Sequence, residues 1–369
     1  MTTLAKLRSW CWPDAAPPPG SASDAELPDL AMFRAMEYRF APEEHPEFRN
    51  DYRRLAMAEL PLRFALDGVA RLFEREKIRF APFKGARLAD ACYPDPVLRS
   101  RCDIDLLTPP GDLDRARKTL EADGWKAPYR YRHEHHCPSM FKQGVMLELH
   151  FTLPHLPSGS AERLWEFMVP EKEGGRHHLP PELELLSLFH HSFGHDWSNG
   201  AQMLADFGFM LKTCGVPDWN KTKELVREFG FPGFELAFFA FPDFFPEPFM
   251  PPEAPPDREA ASLLRKIILH PVDMRSNKDK LIMNSADRFG LSWWRDSLSG
   301  FKPSSVRMTA RLPGRGAYGR LAAAYVKAFS EKLRLAGRGL RGRDEAVISA
   351  LRDIEAMKKR IARSETDRK

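Results

Sequence analysis

Cysteine is scarce and scattered in this chain of 369 residues, and no two cysteines form a CxxC pair. The five cysteines are Cys11, Cys92, Cys102, Cys137 and Cys214. An odd and dispersed set argues against a disulfide framework and against a cysteine-rich zinc cluster. Because such a set suits a reducing compartment, we expect a cytoplasmic protein.

Long apolar runs are also missing. The sequence contains no stretch of about 18 apolar residues, so it predicts no transmembrane helix. The N-terminal segment 1–24 lacks the continuous apolar stretch of a secretory signal peptide. The hydrophobic share of 43% and the charged share of 29% are typical of a globular protein, and the length allows two or three domains.

The charge is unevenly spread along the chain. The formal net charge is +5, yet residues 301–369 hold 18 Lys and Arg against 7 Asp and Glu, so the rest of the chain is net acidic. A basic end can bind nucleic acid or an anionic membrane surface. The alternative is a solvated helix face or a tail, which is the more common origin of such a run.

The spacing of apolar residues predicts that helices and strands alternate along the first half of the chain. The predicted order is a helix over 50–77, a strand ending at Gly85, a helix over 86–93, a strand over 101–109, a helix with Asp112 as its N-cap, and a strand over 144–153. This order is typical of a small α/β unit.

The pattern becomes helical from Pro180 onwards. Helices are predicted over 180–197, 199–215, 221–245, 259–270 and 319–363, with a proline-dense connector over 241–257. Phenylalanine and methionine residues within 207–211 and 236–250 are interpreted as core.

Two aspartates alternate with apolar residues in the predicted strand RCDIDLLTP. Side chains alternate along a strand, so Asp103 and Asp105 share one face, and Glu148 shares a face with Met146 and His150 on the later strand. If the two strands are neighbours, the three carboxylates converge and need cations, for which Mg²⁺ or Mn²⁺ is suited. Two such ions can hold the attacking and leaving oxygens of an in-line phosphoryl displacement.

The residues upstream suit a substrate that carries phosphate. Gly85 lies at a strand-to-helix turn, where backbone N–H groups can face an anion. Lys84 adds a point charge, and Arg99 and Arg101 can form bidentate hydrogen bonds with phosphate oxygens. The alternative is structural: Asp103 and Glu148 would pair with Arg99, Arg101 or Lys84 as salt bridges at a sheet edge.

Histidines cluster at RHEHHC, where His133, His135 and His136 could bind zinc. Their spacing fits no established zinc pattern, so we favour a polar loop or edge strand.

A second histidine pair, His191 and His195, shares one face of a predicted helix, and Asp206 follows on the next helix. A metal or substrate role is one interpretation. We favour a hydrogen-bonded contact between the helices.

The segment FKGARLADACYPDPVLRSRCDIDLLTPPGDLDRARKTLEADGW, followed by VMLELHFTL, resembles the bacterial uncharacterised nucleotidyltransferase family of the DNA polymerase β-like superfamily. The shared pattern is KG, then Tyr-x-x-Pro-x-x-Arg, then DIDLL, a helix ending in GW, and ELH. The later LPPELELLSLFHHSFGHDW and LADFGFML resemble the helical part of that family. The resemblance covers about residues 50–245. Lys84-Gly85 departs from the superfamily's usual Gly-Ser turn, and His-Phe at 150–151 replaces the common His-Trp.

The resemblance implies an α+β protein with a minimal nucleotidyltransferase fold, in which helices back a small mixed sheet and an α-helical domain follows. We accordingly expect a Pro-rich leader (1–45), a nucleotidyltransferase catalytic domain (46–160), a helical domain (161–300) and a basic helical extension (301–369). The resemblance also implies that Asp103, Asp105 and Glu148 hold the metal. From their positions in the sequence, His150, His195 and Asp206 are accessory candidates.

Two functions remain open. The first is Mg²⁺- or Mn²⁺-dependent transfer of a nucleoside monophosphate from an NTP, with ATP favoured, to a small molecule, peptide, protein or RNA. Lys84, Gly85, Arg99 and Arg101 would bind the nucleotide. The second is a non-catalytic protein that keeps the fold and binds nucleic acid or a protein partner through its basic C-terminal region. RNA end modification ranks last, because the tail lacks interleaved aromatic and basic residues.

Overall fold

The computed structural model describes residues 2–15, 26–128, 135–154, 156, 159–171, 175–231, 233–253, 257–270 and 345–366. His133 and residues 301–344 therefore lie outside the described residues. Within the described ranges, every helix is too short or too polar to cross a membrane.

Helices make up most of the described chain. Their bounds are α1 Thr3–Cys11, α2 Ala31–Phe40, α3 Arg49–Arg75, α4 Gly85–Ala91, α5 Leu113–Ala122, α6 Ser160–Glu166, α7 Pro181–Gly194, α8 Gly200–Cys214, α9 Trp219–Phe229, α10 Leu236–Ala240, α11 Arg258–Leu269 and α12 Glu345–Thr366.

The central sheet has four strands in the order β1-β2-β4-β3. They are β1 Ala81–Pro82, β2 Asp103–Leu107, β3 Met140–Lys142 and β4 Val145–His150. The β2–β4 pair is parallel, and the two outer pairs are antiparallel. A second, two-stranded sheet joins β5 (Val169–Pro170) to β6 (His177–His178). The expected α+β class, with a small mixed sheet and many helices, is confirmed.

One face of the central sheet is apolar because of the two-residue period of its strands. Ile104 and Leu106 of β2 are buried on it with Leu147 and Leu149 of β4. Helices α3 and α5 complete this core with an apolar stripe that includes Leu62, Leu66, Val69, Phe73, Ala116 and Leu120. A fully buried leucine or isoleucine contributes roughly 1.5–3 kcal/mol, so this layer holds the strands in place and leaves their other face for polar residues.

A second core lies among the helices that precede and follow the sheet unit. Leu4 and Leu7 of α1 and Met36 of α2 are buried in it together with side chains of α7, α8, α10 and α11. Two helices of the expected leader thus contribute to the core, while residues 16–25 are outside the described part.

The predicted helix boundaries need two corrections. The helix expected over 221–245 is split, because α9 ends where Gly230 adopts a left-handed conformation and α10 has only five residues. Asp112 does precede α5, but its carboxylate forms no cap and accepts a hydrogen bond from Arg115 instead.

The last described helix packs on the helical part of the chain. Ile354, Met357 and Ile361 of α12 are buried in the same core as α11. Several of its charged groups form ion pairs with neighbouring helices and turns: Lys358 with Asp196, Arg360 with Asp257 and Glu259, and Asp353 with Lys266.

Candidate active site

Parallel pairing of β2 and β4 brings two carboxylates together. Asp105 is the register partner of Glu148, and their side chains lie on the sheet face opposite the apolar core. His150 Nε2 lies 2.9 Å from Asp105 Oδ1 and 3.6 Å from Glu148 Oε2. One potential ligand atom from each of these three residues falls within 4.8 Å of the other two. We call Asp105, Glu148 and His150 the carboxylate–imidazole cluster.

The environment sets the charge of this cluster. Burial would raise the pKa of Asp105, but the Lys84 charge and the His150 hydrogen bond hold it far below its usual value. Burial likewise opposes ionisation of Glu148, yet its hydrogen bond with His150 helps to lower its pKa to about 2. The Nδ1 atom of His150 is buried with no hydrogen-bond partner among the described residues. The cluster therefore holds two ionised carboxylates at neutral pH.

Asp103 lies two residues before Asp105 on the same face of β2, outside the carboxylate–imidazole cluster. Burial and the adjacent Asp105 charge raise its pKa to about 6, against a lowering contribution from Lys84. The structure thus brings Asp105 and Glu148 together, with Asp103 electrostatically coupled at one side.

Lys84 contacts the cluster from the turn between β1 and α4. Its Nζ lies 3.1 Å from Asp105 Oδ1, and both side chains are buried. Lys84 also has a φ of 50°, a conformation that favours glycine and costs about 1–3 kcal/mol in other residues. Its backbone N–H donates to Glu184 Oε1 at 3.2 Å, which links this turn to α7.

Gly85 follows at the start of α4, where space is short. A Cβ atom at this position would lie 3.2 Å from Arg101 Cβ and 3.3 Å from Arg99 Nη1. Only a residue without a side chain lets the turn approach both arginines without displacing them.

Both arginines of the expected nucleotide-binding set are engaged by carboxylates from helices. Arg99 Nε lies 2.6 Å from Asp206 Oδ1 on α8, and Arg101 forms a bidentate pair with Glu59 on α3. Arg101 keeps one donor, Nη1, that is buried without a partner among the described residues. The arginines therefore brace the Gly85 turn against α3 and α8.

The segment before β3 supplies further polar groups. His136 is buried, pairs with His150 in an isolated antiparallel bridge, and places Nε2 3.9 Å from Glu148 Oε2. Ser139 Oγ donates to Glu148 Oε1 at 3.0 Å, and the His135 ring stacks on that of His150.

His191 of α7 and His195, which directly follows that helix, face the same region. The rings of His191 and His195 are 4.5 Å apart. The pKa of both histidines is lowered, mainly by burial and to a smaller extent by the positive charge of Lys84. Asp206 has other partners: besides Arg99, it accepts a hydrogen bond of 2.7 Å from the Tyr93 hydroxyl.

The donor set of the carboxylate–imidazole cluster fits a divalent cation. Carboxylate oxygens are the ligands that Mg²⁺ and Mn²⁺ prefer, and an imidazole nitrogen suits Mn²⁺ better than Mg²⁺. Nε2 of His150 faces both carboxylates, so it is the ring nitrogen that would ligate an ion.

A protein-family model described as uncharacterised nucleotidyltransferase matches residues 34–241, more than half of the chain. The chain belongs to this nucleotidyltransferase family. The resemblance noted in the sequence is thereby confirmed. No curated protein and no solved structure gives a significant match. The matched range runs from α2 to the end of α10, so the nucleotidyltransferase region contains the central sheet, the cluster and both histidine-bearing segments.

Several residues that shape the candidate site could not be predicted from the sequence. Glu184 holds the Lys84 backbone, Glu59 holds Arg101, and Ser139 holds Glu148. In PPELELL, the acidic residues Glu182 and Glu184 indicate only the start of a helix. The residue that Glu184 contacts, Lys84, lies 100 residues earlier in the sequence.

Proposed function

We propose that this protein transfers a nucleoside monophosphate from an NTP, with ATP favoured, to an acceptor, and releases pyrophosphate. An acceptor oxygen attacks the α-phosphorus, the bond to the β-phosphate oxygen breaks, and pyrophosphate leaves. The observation that carries the proposal is the parallel register of Asp105 and Glu148, with His150 beside both, in a chain of a nucleotidyltransferase family. The acceptor class is a small molecule, a peptide, a protein or an RNA end.

The carboxylates would hold Mg²⁺ or Mn²⁺. Asp105 and Glu148 are the main ligands, with His150 as a nitrogen donor and Asp103 at the side. A bound divalent ion would neutralise charge on the triphosphate as it develops in the displacement. Because the pKa of Glu148 is lowered to about 2, this residue stays ionised in the neutral range, as a metal ligand must, and is a weak proton acceptor.

The nucleotide phosphates would lie at the Lys84-Gly85 turn. Lys84 supplies a buried positive charge 3.1 Å from Asp105, and the missing side chain of Gly85 lets Arg99 and Arg101 lie close to this turn. Arg99 and Arg101 would position this turn through Asp206 and Glu59, and Arg101 Nη1 is a buried donor without a partner among the described residues.

A label-transfer assay tests the proposal. Purified full-length protein is incubated with cell extract, Mg²⁺ or Mn²⁺, and each NTP labelled at the α-phosphate. We expect metal-dependent transfer that falls at least about 100-fold in Asp105→Asn and Glu148→Gln, since each removes charge from the ion site. Asp123→Asn is the matched control, because Asp123 pairs with Lys142 away from the cluster.

Two results would refute the proposed function. One is the absence of both label transfer and metal-dependent NTP binding with all four nucleotides. The other is transfer that Asp105→Asn leaves at the level of the Asp123→Asn control.

The described residues do not favour the second candidate, nucleic-acid or partner binding through the basic end. In α12, Lys358 and Arg360 form ion pairs with acidic residues of the same chain. Residues 301–344 lie outside the described part and carry no argument.

A further inference from the structure

Three exposed apolar side chains form a stripe along α3. Six large apolar side chains are exposed among the described residues, and three of these belong to α3: Met57 (72% exposed), Leu60 (49%) and Phe64 (65%). Their spacing of three and four residues places them on one face of the helix. The other face of α3, which carries Leu62 and Leu66, packs in the core under the central sheet. A contiguous apolar group at a surface marks a contact site, whereas scattered apolar residues do not.

We propose that this stripe is the interface between two copies of the chain, whose α3 helices cross in antiparallel orientation at Leu60 around a two-fold axis. The surface lies outside the carboxylate–imidazole cluster, so the inference goes beyond the transferase activity. In a two-fold contact, a residue before the crossing point lies opposite the residue at the same distance after it on the partner. The stripe must therefore be complementary to itself in charge.

The charges at the two ends of the stripe meet this requirement. Arg53 and Asp67 lie seven positions before and seven positions after Leu60, on the same face of α3, and both are exposed. Neither forms an ion pair with another described residue, whereas the neighbouring Arg63 already pairs with Asp90 of α4. An antiparallel crossing at Leu60 sets Arg53 of each copy opposite the partner's Asp67. The dimer then gains two ion pairs.

Within one chain, Arg53 and Asp67 are too far apart to pair. Their separation along the helix axis is about 21 Å, at 1.5 Å for each residue, whereas an ion pair needs about 4 Å. A favourable contact between them therefore arises only between chains. Antiparallel helices that cross at about 20° diverge by only about 4 Å at the ends of a stripe of this length, which an arginine side chain can span.

A hollow beside the stripe gives the contact a shape. It measures about 590 Å³, and its wall includes Ala65 and Gly68 of α3 together with Trp125 and Val145. Nothing lies within 4 Å of a Cβ atom built at Gly68, so this edge of the helix is open. In the antiparallel arrangement the partner's Met57 lies opposite this segment of α3. Its flexible thioether side chain suits an irregular apolar gap.

Sedimentation velocity of the full-length protein over a concentration series tests the inference, with a reducing agent present to exclude disulfide-linked species. The contact uses one helix face and a hollow, so we expect a weak, reversible dimer. The mass should rise with concentration from that of one chain, 42.2 kDa, to twice that value.

Leu60→Asp should raise the dissociation constant of the dimer at least about 100-fold, because it buries two like charges at the crossing point. Val216→Asp is the matched control. Val216 is an apolar residue, 51% exposed, in the turn between α8 and α9, and its substitution should leave the constant unchanged. Circular dichroism verifies that each variant is folded.

Charge reversal tests the orientation of the two helices. Arg53→Glu and Asp67→Arg should each weaken the dimer about 10-fold, because each sets like charges opposite each other across the interface. The double variant restores opposite charges, so its dissociation constant should return to within about 3-fold of the wild-type value. Both side chains are exposed, so neither change threatens the fold.

A wild type that stays monomeric at every concentration would overturn the inference, and so would a dimer that Leu60→Asp does not weaken. Single charge reversals whose effects merely add in the double variant would overturn the antiparallel crossing at Leu60. A monomer that binds phospholipid vesicles, and loses this binding in Leu60→Asp, would assign the stripe to a membrane instead of a second copy. None of these results bears on label transfer, which tests the proposed function separately.

Discussion

Arg99 and Asp206 form a buried ion pair that ties the segment before β2 to α8, with Nε 2.6 Å from Oδ1. Asp206 also accepts a hydrogen bond from the Tyr93 hydroxyl at 2.7 Å. These contacts connect the sheet unit to the helical part of the chain. The position of the Gly85 turn relative to α7 and α8 depends on them.

Asp206→Asn should strongly destabilise the protein. The substitution leaves the Arg99 guanidinium buried without its counter-charge, which costs about 3–5 kcal/mol in the free energy of unfolding. Urea denaturation measures this loss. Glu228→Gln is the control, because Glu228 pairs with Arg163 at the surface and should change stability by less than about 1 kcal/mol. Equal, small losses in both variants would show that the buried pair has no structural role.

Gly85→Ala and Gly68→Ala should change stability in opposite directions. A methyl group at Gly85 meets Arg101 Cβ at 3.2 Å and should cost about 1–3 kcal/mol through overpacking. At Gly68, inside α3, nothing lies within 4 Å of the added carbon, so alanine should stabilise the helix by up to about 1 kcal/mol. Thermal unfolding of the two variants compares them. A stabilised Gly85→Ala protein would contradict the close approach.

Glu184 should make the free energy of unfolding fall as the pH rises from about 5 to about 7.5. Burial raises its pKa from 4.5 to about 7 in the folded state, so between these values the folded state binds more protons than the unfolded state. The stabilisation is complete below the unfolded pKa and is lost as the pH passes the folded one. At about 1.4 kcal/mol for each pH unit between the two pKa values, the loss reaches up to about 3 kcal/mol.

Urea denaturation of the wild type and Glu184→Gln at several pH values measures this contribution. Glutamine does not titrate and cannot form the Arg87 ion pair, so the stability of the variant should depend less steeply on pH than that of the wild type. Parallel curves for the two proteins would rule out the raised pKa.

Cys214 should react with iodoacetamide much faster than Cys102, although both are exposed. Its hydrogen bond with Cys92 and the nearby Arg87 charge lower the pKa of Cys214 to about 7, whereas burial and the Asp103 charge raise that of Cys102 to about 11. At pH 7.5 a far larger share of Cys214 side chains than of Cys102 side chains would therefore be thiolate. Mass spectrometry of the alkylated peptides gives the rates.

Cys92→Ala provides the control for that comparison. It removes the thiol partner, so alkylation of Cys214 should slow while that of Cys102 is unchanged. Similar rates at the two cysteines in the wild type would be inconsistent with the assigned hydrogen bond.

The faces of β2 and β4 could be predicted from the sequence, because alternation in DIDLL and VMLELH is a local property of strands. Their parallel pairing could only be stated as a condition, since no local pattern tells which strands are neighbours. The sequence did not predict β3, because the three residues Met140–Lys142 are too few to show the two-residue alternation of a strand. Its signal was the dipeptide Gln143-Gly144, where φ values of 49° and 83° form a tight hairpin turn.

The partners of the charged side chains were harder to predict. Arg99 and Arg101 fit phosphate recognition by residue type, yet their carboxylate partners come from α8 and α3. Such pairing depends on tertiary packing and leaves no spacing signal in the sequence. The same holds for Lys84, whose contact with Asp105 spans the β1–β2 connection.

Crystals of the protein grown with Mn²⁺ would test the central claim most directly through an anomalous difference map. We predict a manganese peak in contact with Asp105, Glu148 and His150, and its loss in Asp105→Asn crystals. A wild-type map without a peak at these residues, at a Mn²⁺ concentration that supports nucleotide binding, would contradict the account.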